Sequence, residues 1–395
     1  MEWEKASTKA GHVVIPNKWV LLHYYDAMNV LFRIENALRM LVYVVLKNDQ
    51  KARWVDTSLS TDDGSTITIG ALAKQRISQQ QSFGYLGFPI SSPIMHLTSG
   101  ELVRLLVSDA YWPHFAKYFR ASKQVVTLKL NEIGTLRNSL AHFRPIKEDD
   151  VEVAKQNAQQ MLTNVEAMLQ EMLSCRHRVP SNSTEPWYAE LRTLGGQRCR
   201  VTFENSENGD WVRISVGYES PVLNKHLSST MTYARFRLLT LNPPAIIRRF
   251  EIIRGHSTCV TESVISSMSA SNDVSFAKKV RFTFSRAVLN EFTVEIKGAL
   301  VELIETIDSE SDLIMEDNLA TGEIVQAVTT SARKREAEDY SFWSFDESKI
   351  AFPVSSDHPP EYWGEMSGQV GDFISDTDSY PWMPVRISSN DDLPF

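Results

Sequence analysis

The run Arg137-Asn138-Ser139-Leu140-Ala141-His142-Phe143-Arg144-Pro145 holds the residue types that phosphodiester chemistry requires. Arg137 and His142 stand five positions apart at the end of a basic, helix-like stretch. At about 100° per residue they fall roughly 140° apart around a helix axis, so they do not stack on one face, although a long arginine can reach round. Asn138 and His142, at i and i+4, share a face. An RNA strand carries its own nucleophile, the 2′-hydroxyl. Cleavage needs that proton removed, the leaving 5′-oxygen protonated and the charge of the phosphorane stabilised. Histidine as a residue type titrates near neutral pH and suits both proton roles. Arginine, always charged and fork-shaped, suits the phosphorane oxygens. Asn138 would orient His142 or contact the scissile phosphate, and Arg144 would hold backbone phosphate further along. Lys123, Lys129 and Lys147 extend this RNA-binding set. No paired carboxylates of ligand-like spacing stand nearby, so the expected site has no metal and no cofactor. Two structural readings stay open: a helix-terminal histidine on the last carbonyls, and a helix–helix salt bridge from Arg137 to Glu35.

These residues need helices to position them. Glycine and proline are absent from Asn17 to Asp63, and apolar residues recur there at spacings of three and four, which predicts a long helix opened by Pro16-Asn17-Lys18 and running to about Lys47. Thr98 and Glu101 form a capping-box pattern at the next helix start. Val126, Leu130, Ile133, Leu136 and Leu140 make a narrow seam on a helix over about 122–141, which Pro145 closes off. Arg137 lies within about 40° of the middle of that seam, where a charge is costly unless paired or bordering a cleft. Three acids, Glu148-Asp149-Asp150, open a last helix reaching Cys175. Residues 48–97 carry turn signals at Asp62-Asp63-Gly64 and at Gly84, Gly87, Pro89 and Pro93, and read as an insertion with a short strand at Thr66–Ile69.

The motif resembles that of the HEPN superfamily (higher eukaryotes and prokaryotes nucleotide-binding domains). Members are all-α bundles of four or five helices marked by Arg-x(4–6)-His, in a longer form Arg-Asn-x-x-Ala-His-x-Arg-Pro. Every lettered position of the longer form is filled here. Arg33-Ile34-Glu35-Asn36-Ala37-Leu38-Arg39 is similar to the Glu-x-x-x-Arg run of larger HEPN domains, and the order of helices fits over residues 18–175. The 48–97 insertion departs from the pattern, and the resemblance does not reach 185–395. It implies a metal-independent endoribonuclease acting as a toxin or antiphage-type effector, with Arg137, Asn138 and His142 as catalytic residues. It also implies a homodimer that brings two motifs together, one histidine acting as base and the other as acid. The alternative it implies is a non-catalytic scaffold that binds nucleotide, RNA or a partner protein. In either case the two-fold contact is expected on the helix bearing Val126, Ile133 and Leu140.

Charge divides the remaining chain. The formal net charge of −8 hides a basic first part: residues 1–180 carry 21 Lys+Arg against 17 Asp+Glu, whereas 336–395 carry 2 against 13. Seven bases and one acid, Glu132, lie between Lys117 and Lys147, a local field that attracts polyanions. Past a linker at 176–185 the period switches toward two, with strands expected at Arg198–Phe203, Trp211–Tyr218, Tyr233–Leu241, Phe250–Arg254, Val280–Ser285 and Phe292–Gly298, then a helix over Ala299–Ile307. The chain thus reads as multidomain α and α+β: a HEPN-like helical domain over 1–180, a sheet-rich α+β domain over 185–335, and an acidic segment over 336–395. A site for a partner or trigger protein is expected in 185–395. The last segment keeps ten aromatic residues from Tyr340 to Trp382, so it is expected to dock, either on the sheet domain or, as an RNA mimic, on the basic 117–147 stretch. No apolar run reaches the length of a membrane span. Met1-Glu2-Trp3-Glu4 is acidic where a signal peptide would be basic, and Cys175, Cys199 and Cys259 are too scattered for a disulfide framework, so a cytoplasmic protein is expected.

Overall fold

In a computed structural model the described residues are 7–9, 12–14, 22–61, 64–82, 90–269, 273–317, 320–336, 341–366, 374 and 380–383. The expected helix start at Pro16-Asn17-Lys18, the turn residues Asp62 and Asp63, the loop residues Gly84, Gly87 and Pro89, and Tyr340 and Phe373 lie outside them. The architecture mixes α-helices with several β-sheets. No helix among the described residues is long and apolar enough to cross a membrane.

A small hairpin, β1 (Ser7–Lys9) with β2 (His12–Val14), precedes the helical block. Its centre is α1 (Leu22–Gln50), a single helix of 29 residues. Ile34, Leu38, Leu41, Val42 and Val45 recur along it at threes and fours and are buried. The described residues of the 48–97 insertion contribute to the core. After a 3-10 turn at Lys51–Asp56, strands β3 (Ser58–Ser60) and β4 (Thr66–Thr68) pair and α2 (Ile69–Gln81) follows. Trp54, Ile69, Leu72 and Ile94 all enter the helical core. An arginine fork fastens it: Arg76 holds both oxygens of Glu101 at 2.7 Å. Glu101 also closes the capping box of α3 (Ser99–Val107) with Thr98. The short α4 (Trp112–Phe115), with Pro113 in its first turn, leads to α5 (Lys123–Ala141) and α6 (Glu148–Leu173).

The seam of α5 faces inward. Val126, Leu130, Ile133 and Leu136 are buried in the chain's own core, and Leu140 packs against it. At about 1.5–3 kcal/mol per fully buried side chain this is a large part of what holds α5 in place. On that side α5 packs against α1, α3 and α6 of the same chain.

A short β5 (His177–Arg178) and α7 (Pro186–Leu191) lead into the sheet block. Its strands are β6 (Cys199–Asn205), β7 (Trp211–Glu219), β8 (Val222–Leu227) and β9 (Tyr233–Leu241). Two short helices follow, α8 (Pro243–Arg249) and α9 (Glu251–His256). Then come β10 (Cys259–Met268), β11 (Val274–Ser285), α10 (Arg286–Glu291), α11 (Thr293–Glu316) and β12 (Val325–Glu336). Residues 251–254 and 293–298 are helical, not extended as expected. Pro243 and Pro244, capped by Asn242, start α8, and after a break at Phe250 α9 forms despite the β-branched Ile252 and Ile253. In α11 the spacing Ile296, Leu300, Leu303, Ile307 overrides the local strand preference of Thr293 and Val294.

The acidic segment belongs to this scaffold. Its β13 (Ser341–Phe345) extends a four-stranded sheet ordered β13-β12-β9-β8, and β14 (Tyr362–Gly364) lies parallel to β10 at the edge of a six-stranded sheet ordered β14-β10-β11-β7-β6-β5. The helix α11 lies in the core that backs this sheet, and Phe236, Phe276 and Ile350 fill the space between the sheets. Tyr362 joins the sheet core, whereas Trp363, Tyr380 and Trp382 enter the helical core around Tyr43. A buried ion pair, Lys47 Nζ to Glu361 Oε1 at 2.5 Å, fastens the segment to α1. No hydrogen bond or ion pair among the described residues joins it to 117–147.

Candidate active site

Arg137 and Asn138 line a cleft of about 430 Å³ between α1, α3 and α5. Its floor is apolar, with Leu31, Ile34, Leu38, Leu102 and Leu130; its rim is polar, with Glu35, Ser99, Arg104 and Asn131. Gly134 sits on this wall with no atom within 4 Å of where a Cβ would stand. A glycine inside a helix costs about 1 kcal/mol against alanine, and here it keeps the cleft wide.

Arg137 is half-buried, and its Nη1 donates to Asn138 Oδ1 at 3.4 Å. It forms no ion pair among the described residues. The bridge to Glu35 is not made: Glu35 pairs with Arg39 and accepts from Ser99 Oγ at 2.6 Å. Arg39 also donates to the carbonyl of Leu97 at 3.2 Å. Burial lowers the Arg39 pKa, Glu35 opposes the shift, and the nearby charge of Arg137 adds to the lowering. The Glu-x-x-x-Arg pair of α1 and the motif arginine of α5 thus form one electrostatic cluster at the cleft.

His142 occupies a different position. It is the C-cap of α5, exposed, and it does not line the cleft. Its backbone N–H donates to Asn138 O at 3.2 Å, and its ring has no hydrogen-bond partner among the described residues. One chain therefore brings Arg137 and Asn138 together and leaves His142 at the outer end of the same helix. The turn beyond is well fixed. Phe143 donates to Leu140 O at 3.0 Å and Arg144 to Ser139 O at 2.8 Å, the paired bonds of a Schellman motif. Tyr24 Oη donates to the Arg144 carbonyl at 2.9 Å, and His23 Nε2 meets the Ile146 carbonyl at 3.1 Å. The start of α1 thereby clips the loop that carries Arg144 and Lys147.

The basic residues do not form one face. Lys123 pairs with Asp109 at 2.5 Å, Lys129 with Glu132 at 3.6 Å, and Arg120 donates to Asn164 at 3.1 Å. Arg144 and Lys147 are exposed. Ser99, Arg104, Asn131 and Gly134 join the cleft without a signal of their own in the sequence; only the unexplained glycine inside a helical period marks the place. His96 is buried, its Nε2 has no hydrogen-bond partner among the described residues, and burial lowers its pKa.

No family model, curated protein or solved structure matches the chain. The chemistry on offer is that of the residues themselves: a half-buried guanidinium and an amide at a cleft of about 430 Å³, and an imidazole with arginine at the helix end.

Proposed function

We propose that the protein is a HEPN-type endoribonuclease, cytoplasmic, that cleaves RNA by 2′-hydroxyl attack without a metal and acts as a toxin or antiphage-type effector. The observation that carries this reading is the half-buried Arg137 guanidinium, facing a cleft with Asn138 and held in no ion pair among the described residues. In this reading Arg137 stabilises the phosphorane and His142 moves the protons. Asn138 holds Arg137 and the phosphate, and Arg144, Lys147, Lys123 and Lys129 attract the backbone, the last two in competition with their acidic partners. Because Arg137 and His142 of one chain point apart, a homodimer would assemble base and acid from two copies. The exposed Val125 and Leu128 on the outer face of α5 support a contact there. The 185–395 region is the proposed seat of a partner or trigger protein.

The exposed, unpartnered His142 supports a second reading, a non-catalytic scaffold that binds RNA, nucleotide or a partner protein. Purified protein incubated with total RNA, with and without EDTA, separates the two. The enzyme reading expects EDTA-resistant cleavage that leaves 5′-hydroxyl ends, lost in both His142→Ala and Arg137→Ala with far-UV CD unchanged. Cleavage that survives in His142→Ala, or that EDTA stops, refutes it.

A further inference from the structure

We propose that Phe143 is a stacking platform for an unpaired RNA base, and so selects single-stranded substrate. Its backbone lies in the left-handed region, φ 53°, at the helix position where glycine is the usual occupant. A bulky side chain is strained there. The ring is 89% exposed and makes no ring or cation contact among the described residues, so burial does not offset that strain. The turn carrying it is well held: two Schellman bonds, the fixed φ of Pro145 and the Tyr24 clip give its backbone a fixed place. The flanking residues are His142 and Arg144, both exposed. A protein contact would join this ring to other apolar surface. The nearest exposed large apolar side chain on α5 is Leu128, fifteen residues back and about 22 Å along the axis. An exposed aromatic on a well-held turn, next to Arg144 and near Lys147, instead suits a nucleic acid, whose bases stack on it while its phosphates meet these side chains.

The inference rests on the ribonuclease reading only in taking RNA as the ligand. Its test needs no cleavage: a fluorescein-labelled 2′-O-methyl oligouridine, whose blocked 2′-oxygens cannot attack, and the same backbone without bases, are titrated by anisotropy. The wild type is expected to bind the base-bearing strand more tightly. Phe143→Gly should weaken that strand roughly 5- to 100-fold and leave the abasic strand unchanged, with a melting temperature no lower than wild type because the strain is relieved. Phe143→Trp should retain the preference. Equal affinity of wild type and Phe143→Gly, or equal losses on both strands, overturns the proposal. So does a smaller sedimenting species in Phe143→Gly, which would make the ring a contact between copies. A wild type that prefers the base-bearing strand yet cleaves nothing keeps this inference and removes the nuclease reading.

Discussion

Replacing Glu361 with alanine probes whether the acidic segment is structural. Lys47 and Glu361 are 1% and 5% exposed, and Lys47 Nζ keeps only the Arg254 carbonyl at 2.8 Å once the carboxylate is gone. Burial already lowers the Lys47 pKa, and Glu361 is the group that opposes this. In Glu361→Ala the ammonium must stay charged in the core or give up its proton. The second route has a ceiling: taking a lysine from its ordinary pKa of about 10.4 to neutral at pH 7 costs about 4.6 kcal/mol. The expected loss is therefore about 3–5 kcal/mol, as for other broken buried pairs. The sign of its pH dependence follows. A lysine whose folded pKa is lowered destabilises the fold below its unfolded pKa, so the deficit of Glu361→Ala should be largest at pH 7 and shrink toward pH 10. Urea unfolding followed by tryptophan fluorescence reads this directly, because Trp54, Trp363 and Trp382 are buried around Tyr43. Lys47→Met/Glu361→Leu should recover most of the loss. A deficit below about 1 kcal/mol, or one that does not change between pH 7 and 10, would refute the reasoning.

Other outcomes follow from the same geometry. Burial alone would raise the Glu101 pKa, but the Arg76 fork and the Thr98 N–H hold it below the usual carboxylate range, so its contribution is present above an unfolded pKa of about 4.3 and lost as pH falls through the folded one; Glu101→Gln should flatten the acid limb of a stability–pH curve. The thiols of Cys175 and Cys199 are pushed up to about 12 and that of Cys259 to about 11 by burial, so a thiol reagent at pH 8 should label native protein far more slowly than protein in urea. Gly196→Ala would put a Cβ 2.5 Å from Ile304 Cγ2 and 2.6 Å from Asp308 Oδ2, and should cost about 1–3 kcal/mol in urea denaturation. Leu130→Ala removes a buried side chain under the cleft and should cost about 2–5 kcal/mol.

Much of the helical block is readable from the sequence because its signals are local. The threes and fours of α1, α5 and α6, the Thr98–Glu101 box and Pro145 each act within one or two turns. Arg137 beside an apolar seam signals a cleft by the same kind of reasoning. What is not readable depends on distant partners. Residues 69–81 lack a strong apolar stripe and become α2 through Thr68 as cap and through Arg76 reaching Glu101. Residues 292–298 carry Thr293 and Val294 but obey the period set further on by Leu300, Leu303 and Ile307. Two of the three lysines given to RNA, Lys123 and Lys129, are taken up by Asp109 and Glu132, one fourteen residues away and one on the same helix. The aromatic content of 336–395 signals docking, and strand alternation parts Tyr362 from Trp363, but which two cores receive them is set by distant partners.

That division sets an order of assembly. The helical block holding Arg137 and His142 is translated first, yet its core is completed by Trp363, Tyr380 and Trp382 and is pinned by Glu361. A ribosome adds roughly 5–20 residues per second, so the interval between α6 and these last pieces is on the order of ten to forty seconds. Throughout that interval the surface around Tyr43 has Trp54 against it but lacks Trp363 and Trp382, and a chain interrupted before residue 361 never gains them. The mature site is thus a property of the finished polypeptide, and truncated products should be found among aggregates and protease fragments rather than among folded molecules.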